Sequence, residues 1–385
     1  MIKWIPLLAL LTAFPPLSTD MYLPAIPSLA QQWQRPLWVI NLTLSCFFIT
    51  YSFFLLLYGP VSDRFGRRPL LKIGITIYVL ASLMCALAPN AGSLIAFRIL
   101  QAAGGACASA LALAICSDVF SIREREKVLA YIGVVTALCP MISPVIGGWV
   151  LAFLSWPWVF VILAGLGTVA LIGVHRMKET LPSSSRIKKI AIGRNYIELT
   201  RNRPYFFLAL LVSISFMPLF AFIAASSDIY INGFGVSEQM YGYFFGFNAL
   251  ALMLGALFCT RLNQVISSKN ILFMSFAGIT AGGIWLLAAP LSTALDFALP
   301  MLVITFCIGI SRPPSFSLVL GQVDKGVGAA SSLLTFFFMS SGAAAMWFVS
   351  LGWQDRIQVL GVMGLICGGT ALFCWALLRR VVRTE

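Results

Sequence analysis

Four ionisable residues, Asp20, Arg98, Asp228 and Arg312, lie inside long apolar runs of the chain. A charge within hydrocarbon costs about 2.5–3.5 kcal/mol on insertion scales, so such a residue is functional by default. Asp20 comes first, because its apolar run extends on both sides and places it between the midplane and the outer face. Burial disfavours the charged form of a carboxylate, and a neighbouring cation favours it. A carboxylate held between those influences can take a proton on one side of a membrane and release it on the other. The plainer reading is a solvated, structural acid near the outer end of the first span. Arg98 is the cation available to tune Asp20, and Gln101 follows it at i+3 on the same helix face. The alternative for Arg98 is an arginine whose head reaches the lipid headgroups from the start of its span. Arg312 precedes Pro313 and Pro314 near the middle of a span, where prolines free carbonyls for water or ligand. It is expected to face Asp228 or an anionic substrate group.

These side chains need apolar helices to position them, and the composition provides for these. The chain has 385 residues, 60% hydrophobic and 10% charged, whereas a soluble domain is about 25% charged. At about 20 apolar residues per crossing, there is room for twelve spans in an all-α membrane protein. The expected spans cover about 4–29, 37–61, 69–88, 93–119, 128–153, a sixth ending near 176, then 204–230, 239–262, 270–289, 293–320, 327–351 and 355–378. Residues 1–17 have the look of a signal peptide, but no clear cleavage site follows, so they are read as part of an uncleaved first span. The six-span halves occupy 1–176 and 204–385, joined by a basic linker over 177–203. In that linker Ile187, Ile190, Ile197 and Leu199 alternate with basic residues, which suits either a helix lying on the membrane or a plain solvated segment.

The net charge of +13 is not a nucleic-acid footprint, because the basic residues are confined to alternate loops. With the N-terminus placed in the cytoplasm, 22 of the 26 Lys and Arg fall on that side. Only Arg35 and Arg356 fall opposite, and Arg98 and Arg312 lie within spans. Both termini are therefore expected inside. All nine cysteines lie in apolar runs without a Cys-x-x-Cys pair, and His175 is the one histidine, so no metal site, disulfide or cofactor is expected.

The turn between the second and third spans carries the most specific pattern. Gly59, Asp63, Arg64, Gly66, Arg67 and Arg68 stand at fixed spacing within Tyr58-Gly-Pro-Val-Ser-Asp-Arg-Phe-Gly-Arg-Arg-Pro. This resembles the signature loop of the major facilitator superfamily. The stretch Leu17-Ser-Thr-Asp20-Met-Tyr22-Leu-Pro-Ala-Ile-Pro27 looks like the first-helix signature of its Bcr/CflA branch of proton-coupled drug exporters, although a second acid found in some relatives is Thr12 here. Pro140, Pro144, Gly147 and Gly148 resemble the antiporter motif of drug exporters, and would give a kinked helix that a neighbour can approach closely.

The resemblance implies two pseudo-symmetric six-helix halves with a ligand site near the midplane. It also implies proton coupling at Asp20 and Arg98. Substrate contacts would fall at Asp20, Tyr22, Arg98, Gln101, Asp228 and Arg312. Asp63, Arg67 and Asp118 would form a charge cluster that latches one conformation. A repeat supports the two halves: Thr19-Asp20-Met-Tyr22 echoes Ser227-Asp228-Ile-Tyr230, Asp118 echoes Asp324, and Arg98 roughly echoes Arg312.

The resulting expectation is an inner-membrane antiporter, acting as a monomer, that expels small amphipathic molecules in exchange for protons. Its partners would be substrate, protons and the bilayer, with no nucleic acid. A metabolite exporter or symporter on the same fold is the second reading, since fold does not settle substrate. A membrane-embedded enzyme or receptor is the third. The lack of a His/Cys/acid cluster or nucleotide loop argues against the enzyme, and the lack of an added soluble domain argues against the receptor.

Overall fold

A computed structural model describes residues 4–182, 192–324 and 326–378 of the protein. The first part of the linker, with Ile187, Ile190 and its basic residues, lies outside the described residues, as do the basic residues at both termini. The described secondary structure is helical throughout. Among the described residues, eleven helices are long and apolar enough to cross a membrane. The expected first span completes the twelve as a broken run, α1 (Ile5–Asp20), a 3-10 turn (Leu23–Ala25) and α2 (Ile26–Gln32). Contacts divide the chain into a first unit, Met1–Ile192, and a second, Gly193–Glu385.

The first unit continues with α3 (Leu37–Phe65), α4 (Arg67–Ala86), α5 (Ala91–Val119), α6 (Ile122–Phe153) and α7 (Pro157–Arg176). α5 packs on α4, α3 and α1, while α6 lies along α1 and α7 along α4. The crossing of α4 and α5 is close because Gly104 carries no side chain. A Cβ there would stand 2.6 Å from the carbonyl oxygen of Gly74 and from the backbone nitrogen of Tyr78.

Two expected loops are helical. The polar stretch after Ser121 opens α6, because Ser121 and Glu124 form a reciprocal capping box that starts the helix there. The signature turn shrinks to one residue, Gly66, at φ 96°, a conformation glycine alone adopts cheaply. Asp63 and Arg64 therefore end α3, and Arg67 and Arg68 begin α4. Pro69 is third in α4, where its missing N–H costs no intrahelical bond.

The second unit comprises α8 (Ile192–Arg201), α9 (Arg203–Ser215), α10 (Met217–Ser227), a π-helical turn (Asp228–Gly233), α11 (Glu238–Leu262), α12 (Ser268–Ala288), α13 (Ala294–Leu320), α14 (Val327–Val349) and α15 (Arg356–Leu378). α13 packs on α11 and α12, α12 on α15, and α10 on α14. Gly255 of α11 meets the backbone of Phe306 and Gly309 on α13, within its own unit. Large apolar side chains such as Phe153 (77% exposed), Phe207 (58%) and Phe373 (67%) point outward, as a lipid-facing surface requires.

The repeat is real in the framework and shifted in the charges. α5 and α13 each open on a capping box, at Asn90 and Thr293. Measured from those caps, Arg98 lies in the third turn of α5, whereas Arg312 follows Pro300 and lies in the sixth turn of α13. At ~1.5 Å per residue the two arginines differ in depth by roughly 16 Å, so they are not equivalent.

Candidate functional site

Asp20 is the last residue of α1 and is 6% exposed. The sequence breaks the helix here for a definable reason. Pro24 would be the i+4 donor to the carbonyl of Asp20 and the i+3 donor to that of Met21, and it has no N–H. The chain resumes as a 3-10 turn, with Ala25 donating to the Tyr22 carbonyl at 3.0 Å. Within α1, Pro15 likewise frees the carbonyl of Leu11, which Ser109 of α5 reaches at 3.4 Å. Thr19 donates its hydroxyl to Asp20 Oδ1 at 2.8 Å.

Arg98 is fully buried beside this break. Its Nη1 donates to the carbonyl of Ser18 at 2.9 Å and to Gln101 Oε1 at 2.6 Å. Gln101 Nε2 donates to Ser82 Oγ at 2.8 Å, and Ser18 Oγ and Tyr78 OH share a bond of 2.7 Å. The guanidinium lies 4.3 Å from the ring centre of Phe47, 5.4 Å from Tyr22 and 5.8 Å from Phe160. Tyr22, also buried, accepts from Thr43 Oγ1 at 3.3 Å. Arg98 stands where it can tune Asp20 by its charge, but it makes no direct bond to the carboxylate. The hydrogen bonds of Arg98 go to a backbone carbonyl and a glutamine, and Nε and Nη2 have no partner. Arg98 caps the freed end of α1, where the last carbonyls lack intrahelical donors, and acts on Asp20 only through space.

The proline- and glycine-bearing stretch that resembles the antiporter motif lies against the same break. α6 carries Pro140, Pro144, Gly147 and Gly148 as one unbroken helix. A Cβ at Gly147 would collide with the carbonyl of Met21.

At the end of the unit that carries Gly66, Arg67 is the centre of a charge cluster. It pairs with Asp63 at 2.6 Å and, through Nε, with Asp118 Oδ2 at 3.0 Å, and also contacts Ser62 Oγ. Arg68 Nη2 donates to the carbonyl of His175 at 2.7 Å, at the C-terminal end of α7. Arg64 lies over its neighbour Phe65 at 5.2 Å, and a Cβ on Gly59 would meet open space.

The sequence reading missed Glu179 here. Its carboxylate accepts from the backbone N–H groups of Arg67 at 3.0 Å and Arg68 at 3.2 Å, which open α4 and have no intrahelical acceptor. Burial works to raise the Glu179 carboxyl, but donors from Leu181, Arg67, Arg68 and Thr180 together hold it below the ordinary carboxylate value.

In the second unit Asp228, one of the two partners expected for Arg312, is taken by another cation. Asp228 pairs with Arg356, the guanidinium nitrogen 2.6 Å from Oδ2, while Asn232 donates to Oδ1 at 2.8 Å. The pair borders an open recess of about 430 Å³ with Phe234, Leu291 and Gln354. Arg312 is exposed, 6.0 Å from the ring centre of Phe338 on α14. Asp228 opens the π-helical turn, and Arg356 at the start of α15 is the cation that takes its carboxylate.

Bundles of apolar helices with outward-facing apolar side chains and buried ionisable residues define a multi-pass membrane protein. The profile of the Major Facilitator Superfamily matches residues 8–346, and the chain belongs to that family. It is 30% identical over 380 residues to the uncharacterized MFS-type transporter YdgK of Bacillus subtilis (strain 168), covering 95% of this chain and 94% of that one. It is 28% identical over 339 residues to a bicyclomycin resistance protein homolog of Haemophilus influenzae, covering 85% and 83% of the two chains. The fold is similar to that of the crystal structure of a D-xylose-proton symporter, with a TM-score of 0.81 at 14% identity over 99% of this chain and 98% of that one.

Proposed function

We propose that this transporter expels small amphipathic molecules, drugs among them, in exchange for protons, by alternating access across a bacterial inner membrane. The observation that carries this reading is Asp20, a buried carboxylate at a helix break whose one nearby fixed cation is held by other partners. Such a carboxylate exchanges its proton without first breaking an ion pair. The names of drug-resistance relatives and the likeness of the first-helix and antiporter motifs to those of drug exporters support the substrate class and the direction. The skew of Lys and Arg to alternate loops supports both termini in the cytoplasm.

The test is substrate-induced proton movement in everted vesicles, with the wild type and Asp20→Asn inserted at equal amounts. The wild type should dissipate a preformed proton gradient when substrate is added, and the mutant should fall to the level of empty vesicles. Gradient-driven efflux that survives in Asp20→Asn sinks the proton role. Proton coupling without any change in drug susceptibility on expression would turn the substrate class towards a metabolite.

A further inference from the structure

We infer that Gly147 is a positioning residue for Asp20: by lacking a side chain it seats α6 on the Met21 carbonyl, to which Pro24 has no N–H to donate. This inference rests on the proton role proposed for Asp20. The argument begins with the backbone. A break after Asp20 leaves carbonyls that a continuous helix would satisfy, and in hydrocarbon they must be covered by protein. Two neighbouring helices do so, in different ways. α5 sends the Arg98 guanidinium to the carbonyl of Ser18, two residues before Asp20. α6 brings the backbone of Gly147 to the carbonyl of Met21, one residue after it. The proton site is thereby bracketed, and its α6 side tolerates no additional atom.

The same helix supplies a control. Gly133 also lies on α6, and a Cβ there would meet open space. Close packing is therefore a property of position 147 and not of glycine on this helix. The link also runs along α6, since Pro140 and Pro144 lie about two turns and about one turn before Gly147. A bend at either proline would move the seat under Met21, and with it the carboxylate one residue away. Motion of α6 and the protonation of Asp20 are coupled through this contact. The titratable groups set around Asp20 are Arg98 from α5, Cys139 from α6 and Tyr22 just beyond the break. Gly147→Ala alters none of them.

The test reads the carboxylate directly. Dicyclohexylcarbodiimide modifies protonated carboxyls in apolar surroundings. Its adduct at Asp20, read by peptide mass with Asp20→Asn as the blank, is followed against pH in purified protein. Gly133→Ala should label as the wild type does. Gly147→Ala should label at a rate changed by about fivefold or more at a fixed pH, the low end of coupling between linked sites, with the pH profile of efflux displaced in the same sense. Wild-type labelling and a wild-type pH profile in Gly147→Ala overturn the inference. Should Gly147→Ala not fold, the coupling is read in reverse. Deuterium exchange over residues 140–151 should differ between the wild type and Asp20→Asn, because linkage is reciprocal. Identical exchange overturns the inference just as surely. The two proposals fail separately: proton-coupled efflux in Asp20→Asn removes the proton role whatever Gly147 does, and an inactive Asp20→Asn with an indifferent Gly147 removes only the seat.

Discussion

Arg98 shows how a buried charge is stabilised without an opposite charge. Its one shared nitrogen serves a carbonyl and a glutamine, and three aromatic rings surround the guanidinium. Cation–π contacts of this kind contribute about 0.5–2 kcal/mol each. A lysine retains the charge but not the planar fork. Arg98→Lys should therefore lower thermal stability by about 1–3 kcal/mol, measured as a fall in melting temperature in detergent. A lysine variant as stable as the wild type would mean that charge alone suffices. In the second unit, neutralising either member of the half-buried Asp228–Arg356 pair should cost about 1–2 kcal/mol, between surface and buried pairs, while exchanging the two residues should restore most of the loss. The sequence disclosed Asp20 and Arg98 because a charge stands out in an apolar run. It did not disclose Glu179 or Arg356 as partners, since a residue at a span end looks solvated until its neighbour is known. The carboxylate of Glu179 and the N–H of Arg67 are 112 positions apart.

Among the elements, the glycines fall into two kinds that spacing alone does not distinguish. Gly104→Ala should push α4 from α5 and destabilise the protein by about 1–3 kcal/mol. Gly133→Ala should be neutral or gain up to about 1 kcal/mol from helix propensity. Melting temperatures of the two variants check this. The start of α4 should also respond to pH. The Glu179 carboxyl is held below its unfolded value. Its contribution is therefore complete above the unfolded carboxylate range, about pH 4.3, and is lost as pH falls through the folded value. Deuterium exchange of the amides of Arg67 and Arg68 should rise on such acidification, and Glu179→Gln should show faster exchange already at neutral pH. The existence of the spans was legible from apolar run length. Their ends were not, because Ser121 and Gly66 extend helices into stretches whose charge suggested loops. The break after Asp20 was signalled by Pro24 and Pro27, but the π-helical turn after Asp228 had no such mark in the sequence.

For the whole molecule, duplicated framework and unduplicated charge must be kept apart. Both halves open their fourth helix on a capping box, and both interrupt their first helix near an aspartate. Among the described residues, the first unit holds a buried acid, Asp20, near a buried arginine, Arg98, that bonds elsewhere, whereas in the second unit Asp228 is paired directly with Arg356. Reporter fusions test the proposed topology: an alkaline-phosphatase fusion near Trp33 should be active, and fusions near Phe120 and at the end of the chain should not. The contact between Glu179 and the start of α4 also fixes where the polypeptide could be made in two pieces. The acid lies beyond the end of α7, yet completes the first turn of α4. Two genes encoding 1–182 and 183–385 would leave each acid with its partners and should complement each other. A division after Arg176 would put Glu179 on the other polypeptide, bare the opening N–H groups of α4, and yield a first fragment that proteases remove.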